Sequence, residues 1–118
     1  MTKHSIGMLG QEAARQFLAG KGFEIIKENY RLRSSEIDII AKDGEYTVFI
    51  EVKFRKGLSH GLPRESVSRA KQKKIIKAAM HYISATAITE QDYRFDVVEI
   101  LESDGKLYAN HIENAFEL

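Results

Sequence analysis

Residues 37–54 read IDIIAKDGEYTVFIEVKF. Two apolar, β-branched runs flank an Asp-Gly pair, the pattern of a buried β-hairpin. Asp38 interrupts the first run, and Glu51 and Lys53 interrupt the second. Side chains on a strand alternate between faces, so Phe49, Glu51 and Lys53 share one face, as do Asp38 and Ile40. With Asp43-Gly44 as the turn, Lys42 opposes Glu45 and Asp38 opposes Phe49. Asp38 and Glu51 then become diagonal cross-strand neighbours about 7 Å apart at the backbone.

Two carboxylates on one partly buried face repel each other, and a hard divalent cation removes the conflict. Magnesium takes one or two carboxylates, keeps several waters and leaves positions open for phosphate oxygens. Lys53, two residues beyond Glu51, is placed to orient an attacking water or to steady phosphate charge. The constellation suits metal-assisted cleavage of a phosphodiester. The other reading is a set of salt bridges at a sheet edge. Against it stand the apolar flanks, which describe a central hairpin. Glu12 lies in a helical stretch among Gly10, Ala13 and Ala14, and reads either as a third carboxylate near the site or as a surface residue.

The chain has 118 residues, 43% hydrophobic and 30% charged, and fits a single domain over 1–118 with a core of its own. It has no cysteine, which excludes thiol catalysis and cysteine-ligated metal centres. No apolar run of membrane length and no signal-peptide pattern is seen, so no membrane partner and a cytoplasmic location are expected. No glycine-rich phosphate loop or dinucleotide fingerprint is present, and no nucleotide cofactor is expected.

Net charge is only +1, but residues 64–77 carry six Lys or Arg against one Glu. That stretch reads either as a solvated helix face or as a stripe for a polyanion, with Lys71 and Lys74 on its flank. Periodicity places a first helix capped by Ser5, with Ile6, Leu9, Gly10, Ala13, Phe17 and Leu18 at helical spacing, ended by Gly20 and Gly22. A strand over 23–32 and the hairpin follow, then a glycine-punctuated loop. A long helix starts at Arg64 or Glu65 and runs to about Ser84, buried through Ile75, Ile76, Ala79, Met80 and Ile83. Two strands around Asp104-Gly105 complete the order αβββαββ. The expected class is α/β, a mixed sheet sandwiched by helices. Gln72 lies on the helix's core stripe, either partly solvated or as an amide near the metal. His4, His60, His81 and His111 show no metal-ligand spacing, although His60 follows the lysine and could meet substrate. Asp96 reads as the structural partner of Arg94 or Arg55.

At Glu12, at Ser35-Glu36-Ile37-Asp38 and at Phe49-Ile50-Glu51-Val52-Lys53 the chain resembles the PD-(D/E)XK nuclease superfamily. More narrowly it resembles the YraN-type family of small bacterial proteins, themselves similar to Holliday junction resolvases. Further blocks, Asn29-Tyr30-Arg31, GLPRESVSRAKQKKI, AAMHYI and RFDVVEI, extend the likeness over nearly the whole chain. The resemblance implies a restriction-endonuclease-like fold, with Asp38 and Glu51 as metal carboxylates, Lys53 as the catalytic lysine, and Glu12 and the Val52 carbonyl as further ligands. It implies magnesium or manganese as cofactor, branched DNA as partner, and a homodimer. In the sequence the last strand offers an edge for pairing, and Tyr82 and Phe116 read either as interface anchors or as core. Lys71, Gln72, Lys74 and Arg55 are the expected nucleic-acid contacts. Ser35 stands where that family usually carries glycine, which puts a positive φ or a close backbone approach there in question. The expected activity is magnesium-dependent DNA cleavage; the alternative is a nucleic-acid-binding module with weak or no cleavage that works with a partner.

Overall fold

The computed structural model describes residues 3–56, 67–86 and 92–117, with side chains from Leu9 onward. Seven elements follow in the order helix α1 (Lys3–Gly20), strands β1 (Glu24–Arg31), β2 (Glu36–Asp43) and β3 (Tyr46–Lys56), helix α2 (Arg69–Thr86), and strands β4 (Asp92–Ser103) and β5 (Lys106–Phe116). One mixed sheet runs β1-β2-β3-β4-β5. The β3/β4 pair is parallel across the α2 crossover, and the other pairs are antiparallel. This is the expected αβββαββ order and α/β class.

The two helices cover opposite faces. Ala14 and Leu18 of α1 pack with Ile39, Ala41, Val48, Ile50, Val98 and Ile100. Ile75, Ala78, Ala79 and Tyr82 of α2 pack with Ile40, Phe49, Phe95 and Val97. Residues 39–41 and 48–50 are fully buried, as central strands require. Gly10 lets α1 lie close on β3, since a Cβ there would meet Phe54 at 3.1 Å. Gly22, at φ +97, ends α1 while Phe23 N–H donates back to Leu18 O at 3.0 Å.

Several boundaries differ from expectation. Ser5 lies inside α1 and does not cap it. Ser68 caps α2 instead, its hydroxyl accepting from Lys71 N–H at 3.2 Å. Arg64, Glu65 and His60 fall outside the described residues. Leu9 and Met80 are 48% and 44% exposed, while Ala78 and Tyr82 take the core positions. Tyr82 stacks edge-on against Phe49 and Tyr30, and Phe116 lies on Phe95, so of the two readings open for these residues the core one holds. Ser35 is not among the positive-φ residues, so serine fits there without backbone strain.

The central hairpin closes one step later than the sequence suggests. Asp43 pairs with Tyr46, leaving Gly44-Glu45 as the loop, and the positive φ falls on Gly44 at +62. Glycine at the first of two loop positions suits a II′-type connection. Lys42 therefore faces Thr47, not Glu45. A shift of two keeps every side chain on its face. It brings Asp38, one step beyond the last pair Ile39↔Ile50, opposite Glu51 and not Phe49.

Candidate functional site

The β2/β3 ladder ends at Ile39↔Ile50, while β2 continues with β1 to Glu36 and β3 continues with β4 to Lys56. The sheet thus forks, and Asp38 and Glu51 stand in the fork on the α2 face. Beyond the last rung, Val52 N–H has no β2 carbonyl to bond, and it donates to Asp38 Oδ2 at 2.8 Å. That bond fixes the Asp38 side chain against the strand that carries Glu51.

Glu51 is only 5% exposed. Two ammonium groups approach its Oε1. Lys53 Nζ comes from the same strand at 4.0 Å, and Lys71 Nζ comes from the first turn of α2 at 3.6 Å. Burial, and then the charge of Asp38, push the Glu51 carboxyl up to about 7, with Lys71 and Lys53 opposing. Burial also raises Asp38, against the Val52 hydrogen bond, and Glu36 adds to the rise. The pair is thus held close with its negative charge under-compensated, which is the electrostatic state a cation relieves.

The remaining expected residues are dispersed. Glu12 is exposed on α1, which covers the other face of the sheet, and it accepts from Arg15 and from Gln16 Nε2 at 3.1 Å. It does not join the pair. No group of three or more Asp, Glu or His is poised around an ion among the described residues. The donors that the fork brings together are two carboxylates, hard ligands of the kind magnesium takes while it keeps several waters. Gln72 Nε2 donates to Val67 O at 3.0 Å, serving the entry to α2 and not the carboxylates. Lys74 is exposed on the same helix as Lys71.

Arg55 Nε lies 2.7 Å from Glu99 Oε2, an ion pair without hydrogen-bond alignment. Glu99, 3% exposed, was missed in the sequence. It sits opposite Lys53 in the parallel register and so on the same face. The alternation Phe95, Val97, Glu99 carries that signal.

The other face holds a second acidic centre. Asp96 is fully buried and accepts from Arg94 Nε at 2.9 Å, Arg94 Nη2 at 3.0 Å and Asn114 N–H at 2.9 Å. His111 Nε2 lies 2.7 Å from its Oδ2, and Lys21 Nζ lies 2.8 Å from His111 Nδ1. With Nδ1 accepting from the lysine, Nε2–H is the donor to Asp96. Burial alone would raise Asp96, but the His111, Arg94 and Asn114 bonds outweigh it and hold the carboxyl below its ordinary value. Arg94 is thus the structural partner, as the sequence suggested.

A family model described as uncharacterised protein family UPF0102 matches residues 10–100. A UPF0102 protein of Desulforapulum autotrophicum is 44% identical over 115 residues, covering 98% of this chain and 95% of that protein. One from Chlorobium limicola is 54% identical over 98 residues, covering 83% and 76%. One from Carboxydothermus hydrogenoformans is 38% identical over 117 residues, covering 99% of each.

Proposed function

We propose that this chain, which belongs to the uncharacterised protein family UPF0102, is a magnesium- or manganese-dependent endonuclease acting on branched or structured DNA. One observation carries the reading: Asp38 and Glu51 face each other at the end of a ladder, with carboxyls raised by burial, while two lysines converge on Glu51. Buried carboxylates with strongly raised values cluster at sites of chemistry. The PD-(D/E)XK resemblance supplies the reaction class, and the branched substrate rests on the likeness to junction resolvases.

Asp38, Glu51 and the Val52 carbonyl are the groups that would hold the cation. Bound there, it would supply Lewis-acid stabilisation of the phosphate and a more acidic water. Lys53 orients the attacking water and balances charge on the phosphate oxygens. Water oxygen bonds to phosphorus as the bond to the 3′-oxygen breaks; the water releases a proton to solvent, and the 3′-oxygen takes one up from solvent. The products are a 5′-phosphate and a 3′-hydroxyl. Lys71 balances the Glu51 charge from 3.6 Å, and with a cation held by Glu51 it would be free to meet a phosphate oxygen.

Incubation with four-way, flapped and linear DNA plus magnesium or manganese, beside Asp38→Asn, tests the proposal. Cleavage by the wild type that Asp38→Asn lacks supports it. Retarded mobility with no cleavage in either protein favours the DNA-binding module instead, and identical inertness on every substrate removes the nucleic-acid reading.

A further inference from the structure

The β1/β2 hairpin ends in a tight tip. Arg31 pairs with Glu36, and Leu32 N–H donates to Ser35 O at 2.8 Å, so Arg33-Ser34 forms the loop. This tip lies against the start of α2 and encloses an open pocket of about 340 Å³, lined by Arg31, Arg33, Ser34, Ser35, Lys71 and Lys74. Glu36 is the one carboxylate in its wall, and it is 3.2 Å from Arg31 Nε. Among the described residues no ion pair engages Arg33 or Lys74. Ser35 is 8% exposed, and its hydroxyl has no hydrogen-bond partner among the described residues. A buried hydroxyl without a partner costs about 1–3 kcal/mol, so native structures rarely leave one unless a ligand or water satisfies it.

From this pocket we infer a second phosphate subsite, in which Arg33, Lys74 and the Ser35 hydroxyl grip a phosphate oxyanion of the bound strand beside the one that is cut. The inference rests on the proposed function for its choice of ligand. Three features favour a phosphate. Cationic side chains outnumber the single carboxylate, guanidinium and ammonium groups are the usual phosphate donors, and the unpaired hydroxyl adds a neutral one. Position supplies the link to chemistry. Ser35 lies three residues before Asp38 on the same chain, and Lys71 both lines the pocket and stands 3.6 Å from Glu51. A phosphate held here fixes where the strand enters the fork. The subsite therefore selects which phosphodiester reaches Lys53.

The test is a titration of ¹⁵N-labelled protein without divalent ions, in two arms. One uses inorganic phosphate, and the other a short oligothymidylate with no terminal phosphates. Saturable shifts at the amides of 33–35 and 74 are expected, with affinity at least tenfold weaker in Arg33→Ala/Lys74→Ala and about threefold weaker in Ser35→Ala. A response to the oligonucleotide assigns the site to internal backbone phosphates, and a response to phosphate alone assigns it to a strand end. No saturable response in either arm, or full affinity in Ser35→Ala and in the double variant, overturns the subsite. The titration requires neither a divalent ion nor cleavage. Absence of cleavage thus leaves this inference standing, and cleavage without a phosphate response overturns it alone.

Discussion

Asp96 is less exposed to solvent than Asp38 or Glu51, yet its carboxyl lies below the ordinary value and theirs lie above. The difference is in partners. Asp96 receives both Arg94 nitrogens, a histidine N–H and a backbone N–H. Asp38 receives one backbone N–H, and Glu51 has two ammonium groups at 3.6 and 4.0 Å in addition to a like charge opposite. The α1 face shows what this sheet does with a charge it wants for architecture. The α2 face keeps a charge under-compensated at the mouth of a fork. Burial depth alone does not mark a functional acid; burial without enough partners does.

The contrast breaks most visibly under truncation. Asp96→Ala leaves Arg94 buried without its main partner and should cost about 3–5 kcal/mol by urea unfolding. If Asp38→Asn or Glu51→Gln costs as much, the fork is architecture too and the distinction collapses.

Chemistry should separate the faces next. Lys53→Ala is expected to lower the cleavage rate at saturating DNA by about 10²–10³-fold, as loss of one charge-stabilising group does, with binding nearly intact. Full turnover in that variant would remove Lys53 from the mechanism.

Stability against pH sharpens the comparison through its sign. Glu51 is raised from 4.5 to about 7, so its contribution is fully present below pH 4.5 and is lost as pH rises toward 7. Asp96 is lowered, so its contribution is present above pH 3.8 and is lost as pH falls through its folded value. At pH 8 without divalent ions, Glu51→Gln should therefore stabilise the fold by about 1–3 kcal/mol. Parallel pH profiles for the wild type and Glu51→Gln would show that the fork carries no such penalty.

The smallest effect concerns affinity. Each lost phosphate contact reduces the slope of log affinity against log salt by about 0.9 on duplex DNA, so Lys71→Ala/Lys74→Ala should flatten it by about two such steps. An unaltered slope would leave that helix face to solvent.

Much of this was legible in the chain. The strands around 37–54 and 92–116 follow from β-branched, apolar runs set about Asp-Gly turns. The shared face of Asp38 and Glu51 survived a register error because a slip of two residues preserves parity. The turn position was not legible, since Asp-Gly serves equally as a loop pair or as a closing residue followed by a loop glycine. Glu12 left two readings open, a third carboxylate or a surface residue, and the surface reading holds. Small neighbours do mark close helix packing, but they do not say which face of the sheet the helix covers, and α1 covers the face opposite α2. Gln72 shared a stripe with core residues yet bonded locally to Val67 O. Glu99 was concealed by Asp96, which stands two residues from Arg94 in the chain, whereas the partner of Glu99 comes from another strand.

The parallel register that joins β3 to β4, from Tyr46↔Asp92 to Lys56↔Glu102, also orders events in time. The β2/β3 hairpin is local and closes cheaply, whereas the crossover must bring together residues 46 positions apart in sequence. Asp38 and Glu51 are therefore expected to meet before α2 delivers Lys71. For that interval the carboxylates face each other with less cationic support than they finally have. The refolding limb of a chevron should accordingly be faster at pH 5.5, where Glu51 can take up a proton as burial raises its carboxyl, than at pH 8, and Glu51→Gln should erase the difference. Equal pH dependence in both proteins would mean that the hairpin and the crossover form together.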